Sequence, residues 1–148
     1  MKSVVDVFTR EELINRINSI SVQSKAGWGK MNVFQMLKHC VMCDEMFLGK
    51  IKVKRVLIGR LFGKLILKKV LRDDKPFRRN SPTSQFLTSI DENDNIELQK
   101  KEWTDSIAQY SDFNNPGFIH PFFGKMSKPE VGILAYKHAD HHLRQFGA

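Results

Sequence analysis

Five histidines are the residues best suited to chemistry in this chain, and four of them, His120, His138, His141 and His142, fall in the last 29 positions. His138 and His142 are four apart, a spacing that on a helix lets both rings converge on one ion. At about 100° per residue, Val131, Leu134, Ala135, His138, His142 and Gln145 share one narrow stripe. The upper part of that stripe is apolar and its lower part is imidazole. A buried imidazole without a partner costs roughly 1–3 kcal/mol, so a buried histidine stripe asks for a ligand. His141 lies off the centre of the stripe, at its rim. A plainer reading is also open: two polar residues near a helix end, with His142 favoured by the helix dipole.

His39 is the candidate third ligand. It stands at the edge of an apolar arc, among Met36, Cys43 and Met46. By itself it reads as a boundary histidine. With the pair it completes three imidazoles from two helices, a set that leaves one coordination position open and so suits a catalytic metal. Imidazole suits Zn, Ni, Fe or Cu alike. Cys40 and Cys43 form a C-x-x-C, but both fall in mid-helix, where no helix N-terminus lowers a thiol pKa; core packing is the expected role.

The elements that must position these groups are helices. Thr9-Arg-Glu-Glu12 reads as a capping box opening a helix over about 9–19, with Leu13, Ile14, Ile17 and Ile20 on one face. A Gly27-Trp28-Gly29 loop follows. Asn32 to Gln35 is a second cap, opening a helix over about 32–48 that Gly49 ends. Leu57, Leu61, Leu65 and Ile58, Phe62, Ile66 repeat every fourth residue, as do Arg60, Lys64, Lys68 and Arg72, predicting an amphipathic helix over about 54–71 with a cationic face. Gly59 and Gly63 weaken it by about 1 kcal/mol each relative to alanine. Residues 72–93 read as irregular, with a polar tip at Asp91–Asp94. Asp94 to Glu97 caps a helix over about 95–110 that turns Ile96, Trp103, Ile107 and Tyr110 inward. After an aromatic loop, Ser127 to Glu130 caps the last helix, about 128–146, with Pro129 in its first turn. No segment alternates at period two. The fold class is therefore all-α: four main helices packing as a bundle, and an extra basic helix between the second and third of them.

Three segments carry a family resemblance. Trp28-Gly-Lys-Met-Asn-Val-Phe-Gln-Met-Leu-Lys-His39 resembles the second-helix segment of the DinB/YfiT-like metalloenzymes. Ala135-Tyr-Lys-His-Ala-Asp-His-His-Leu-Arg-Gln145 is similar to the last-helix signature of that superfamily, and His120-Pro-Phe-Phe-Gly124 resembles the loop before that helix in one small branch. The resemblance implies a four-helix bundle of up-down-down-up order. It also implies a metal held by His39, His138 and His142, and transferase or hydrolase chemistry with a low-molecular-weight thiol as cosubstrate. The chain departs from the better-understood members in its basic insertion, residues 50–79. A mechanism consistent with the site lets the metal lower the pKa of a bound water or thiol, to about 7 for zinc-bound water. The nucleophile then attacks a small electrophile held against Trp28, Phe118, Phe122 and Phe123. His120 or His141 moves the proton, and Gln145 orients a ligand.

Composition bounds the remaining readings. The chain has 148 residues, 41% hydrophobic and 27% charged, which fits one globular domain over 1–148. No apolar run approaches the ~18 residues of a membrane span, and the first ten residues lack a signal-peptide block. Two cysteines make no disulfide framework, so a cytoplasmic setting is expected. The net charge of +8 is uneven: Lys50 to Arg79 holds twelve basic residues against Asp73 and Asp74, while the rest of the chain is nearly neutral. Residues 50–93 thus form a basic insertion and long connection, in the plainest reading a bundle-covering helix with solvated Lys and Arg. An alternative to the enzyme is a non-catalytic module that docks an anionic partner or membrane surface through residues 50–79. Nucleic acid is not expected, since no nucleic-acid fold signature appears. A homodimer is compatible with so small a bundle.

Overall fold

A computed structural model describes residues 1–80 and 95–148. These residues form five α-helices, α1 (Val7–Asn18), α2 (Val33–Phe47), α3 (Leu57–Val70), α4 (Ile96–Ala108) and α5 (Lys128–Gln145). A 3-10 turn, Gln109–Asp112, follows α4, and two short strands, β1 (Ile119–His120) and β2 (Gly124–Lys125), precede α5. The strands pair antiparallel, Ile119 with Lys125 and His120 with Gly124. The chain is thus mostly helical, and the small hairpin departs from a purely helical expectation. Two residues per strand are too few to show a period of two.

The caps explain most boundaries. Asn32 and Gln35 close a reciprocal capping box on α2, and Ser127 and Glu130 close one on α5. Gly49, at φ +82°, ends α2 in a Schellman turn: its amide donates to Met46 O and that of Lys50 to Glu45 O. Two expected caps are corrected. Helix α1 begins at Val7, because the Asp6 carboxylate accepts from the Thr9 amide at 2.8 Å. An ionised acceptor at the positive end of the helix serves better than the Thr9 hydroxyl, and Thr9 is buried. Helix α4 is capped by Asn95, whose side chain accepts from the amides of Glu97 and Leu98; Asp94 and the tip at Asp91–Asp94 lie outside the described residues.

Helices α1, α2, α4 and α5 share one core, in which α4 lies against α1 and α2 and α5 lies against α2 and α1. Trp103, Ile107 and Tyr110 are fully buried in it, as are Leu13, Ile17, Met36 and Leu37. Two polar links tie the helices across it. Asp44 of α2, itself buried, accepts from Trp103 Nε1 at 3.0 Å and Tyr110 Oη at 2.8 Å. Arg16 of α1 donates to Asp140 of α5 at 2.9 Å.

Helix α3 contributes Leu67 to this core, but its apolar arc is not the packed face that a bundle-covering helix would use. Its apolar arc points away from the protein, with Leu57, Leu61 and Leu65 at 76, 75 and 67% exposure; Gly59, Gly63 and Leu67 face inward. The two glycines are the reason. A Cβ at Gly63 would meet Phe122 O at 2.1 Å, and one at Gly59 the same oxygen at 2.4 Å. The hairpin turn thus approaches the helix backbone more closely than any side chain permits, and the face made of glycine becomes the packed one. The far end of α3 is held by Lys137 of α5, whose ammonium donates to Val70 O at 2.7 Å, Lys75 O at 3.0 Å and Asp73 O.

A three-histidine candidate metal centre

The packing of α2 on α5 brings His39 against His138 and His142. The three ring centroids lie 4.7 to 4.9 Å apart. One ring nitrogen from each residue can be chosen so that all three lie within 4.8 Å of one another, and His39 Nε2 and His138 Nε2 are 3.0 Å apart. Metal–nitrogen bonds of about 2.0–2.1 Å at tetrahedral angles place ligand nitrogens roughly 3.3 Å apart, so modest ring rotations close the set around one ion. The cluster could hold a metal. His39 and His142 are buried, while His138 is partly exposed.

Their surroundings keep His138 and His142 neutral, the form that binds metal. Desolvation, reinforced by His39, lowers the pKa of His142 to about 3. His138 is pushed well below its ordinary value by desolvation and then by the surrounding His142, His39, His141 and His120. Gln145 completes the arrangement. Its Oε1 sits 2.9 Å from His142 Nδ1, and its Nε2 donates to Trp28 O at 2.6 Å. With its amide nitrogen committed to Trp28, Gln145 offers His142 only an acceptor. That fixes the proton on Nδ1 and leaves Nε2 free for a ligand.

The other expected site residues fall into two groups. Trp28 and His141 stand together, ring centroids 5.7 Å apart, beside the cluster, with His141 also 5.1 Å from His142. Burial lowers the His141 pKa, and a bond to the Phe77 backbone opposes that. Phe118, Phe122, Phe123 and His120 form the second group at the hairpin, with Phe47 added: His120 lies 4.7 Å from Phe123 and 5.8 Å from Phe47. His120 Nδ1 accepts from the amides of Phe122 and Phe123 at 3.0 and 3.1 Å, which pins the turn. Its proton therefore resides on Nε2, so in this state the ring can donate there and is not a base. Burial, with Arg55 nearby, lowers its pKa to about 4.

Two further neighbours, Arg79 and Phe77, escaped sequence reasoning, whereas Cys43 is expected beside His39. The Arg79 guanidinium lies 4.4 Å from the Trp28 ring, Phe77 packs 6.0 Å from His141, and the Cys43 thiol rests 3.8 Å from His39. For Cys43 the i, i+4 spacing to His39 was a usable signal. Phe77 and Arg79 follow the segment that Lys137 ties to α5 through the carbonyls of Val70, Asp73 and Lys75, and no local pattern encodes that. Both cysteines are free and buried, and burial raises their pKa well above that of an ordinary thiol, as inert core residues require.

Fold and site together define a mostly helical protein with a three-histidine cluster that could hold a metal ion. By sequence the chain belongs to the DUF1569 family, described as a protein of unknown function, whose model matches residues 5–148. Neither the curated proteins nor the solved structures contain a match.

Proposed function

We propose that this protein is a metal-dependent enzyme that activates water or a low-molecular-weight thiol for transfer to, or hydrolysis of, a small electrophile. The observation that carries the reading is the convergence of His39, His138 and His142, with His142 oriented by Gln145. The same reading makes residues 1–148 one up-down-down-up bundle related to the DinB/YfiT-like metalloenzymes, working in the cytoplasm. A divalent Zn, Ni or Fe ion held by the three imidazoles would supply Lewis acidity at an open coordination position. The chain supplies the rest. Gln145 holds the His142 tautomer. His141, outside the ligand set and pushed toward its neutral form, takes up the proton released by the nucleophile. Trp28, Phe118, Phe122 and Phe123 are the apolar groups that would hold the substrate in this reading. His120 Nε2–H serves as a hydrogen-bond donor.

Metal analysis of protein purified without a nickel column tests this. About one ion per chain is expected, lost in His39→Ala, His138→Ala and His142→Ala. Gln145→Ala should retain the site with affinity about 10–100-fold weaker. Fewer than about 0.2 ions per chain, unchanged by His138→Ala, would refute the metal centre.

A further inference from the structure

We propose that α3 is a peripheral membrane anchor that lies in the interface of an anionic bilayer. Six large side chains, Leu57, Ile58, Leu61, Phe62, Leu65 and Ile66, are 39 to 76% exposed. At about 100° per residue they cover a continuous half-cylinder of about 180°. The opposite side, Gly59, Gly63 and Leu67, is the packed one. The apolar arc therefore points straight away from the protein body. A patch of this size on a water-soluble surface marks an interaction site.

The charges identify the occupant. Arg60, Lys64 and Lys68 run along one shoulder of the arc, and Lys69 stands at its C-terminal end. Twelve basic residues against two acids between Lys50 and Arg79 give the region a net +10. A second copy docking here would set two such regions against each other, so charge opposes self-association through this face. An anionic partner is favoured. The shape then selects a lipid surface over a protein: α3 offers a convex half-cylinder, which a bilayer accommodates by yielding, whereas a protein would need a preformed groove around it. An apolar half flanked by Lys and Arg is the pattern of helices that lie in the plane of the headgroups. Docking needs no unfolding, because the glycine seam on Phe122 already holds the helix with its apolar side outward.

Vesicle flotation of the full chain tests this. Phosphatidylcholine vesicles with about 30 mol% phosphatidylglycerol should carry the protein upward at about 50 mM salt, and at least tenfold less at about 500 mM or on pure phosphatidylcholine. Leu61→Asp/Leu65→Asp should reduce binding at least tenfold with an unchanged circular dichroism spectrum, since both side chains are exposed. Absence of wild-type binding at low salt overturns the proposal. So does binding that the double variant retains, which is adsorption by charge alone. A dimer in light scattering that the double variant abolishes would assign the arc to a second copy and overturn it likewise.

Discussion

Replacing Asp44 by asparagine should change the pH dependence of stability in a calculable way. The carboxyl is buried between two helices, and desolvation raises its pKa from 3.8 to about 7 although Tyr110 and Trp103 both donate to it and pull the other way. A carboxyl raised in the folded state gives stability that is fully present below the unfolded value and lost as pH rises through the folded one. At 1.36 kcal/mol per unit, the loss between about pH 5 and about pH 8 is about 3 kcal/mol. The carboxamide cannot ionise, so Asp44→Asn lacks this loss. It keeps an acceptor for one donor and turns an NH2 group toward the other, a pH-independent penalty of roughly 1–3 kcal/mol. The variant should therefore gain about 3 kcal/mol on the wild type between about pH 5 and about pH 8, and exceed it near pH 8. Urea unfolding followed by circular dichroism, with chelator present, measures both proteins across that range. Subtracting the two curves cancels the histidines common to both. A difference that stays constant from about pH 5 to about pH 8 would refute the buried, proton-holding carboxyl.

Two further outcomes are expected. In the Asp44→Asn background without metal, moving from about pH 7 to about pH 5 should cost at least about 4 kcal/mol, about 2 each from His120 and His142, with His138 and His141 adding in the same direction. The folded pKa values of His120 and His142, about 4 and 3, lie below the ordinary 6.5, so the unfolded chain alone takes up protons. Adding His142→Gln should remove about 2 kcal/mol of that loss, read from urea midpoints; an unchanged loss would show that His142 is not held neutral. Gly63→Ala should destabilise by about 1–2 kcal/mol, the steric penalty against Phe122 O exceeding the ~1 kcal/mol gain in helix propensity. Faster hydrogen exchange confined to α3 and the hairpin would accompany it, and a stabilised variant would contradict the close approach.

The helices were readable because local chemistry encodes them. Asn32 with Gln35 and Ser127 with Glu130 announce their caps, and Gly49 supplies the left-handed residue that ends α2. Where two local acceptors competed, as Asp6 and Thr9 did, the pattern alone chose the wrong one. The hairpin was too short to register, and the plainest reading of α3, a bundle-covering helix, does not match its outward apolar arc. Periodicity reports that a helix has an apolar side and is silent on which side packs. The two glycines, read as weak points of the helix, are its contact surface.

For the site, sequence alone determined what one helix can determine: His138, His142 and Gln145 on one stripe, one turn apart, with chemistry suited to a metal. It also marked His39 as a boundary residue worth pairing with them. Only the tertiary structure decided that α2 and α5 bring the three rings within reach of one ion, that Gln145 is braced by Trp28, and that His120 is spent on pinning a turn. It alone placed Phe77 and Arg79 at the edge of the site, beside His141 and Trp28. The division has a physical cause. Angular position on a helix follows from residue spacing, whereas distances between helices are set by how whole faces pack.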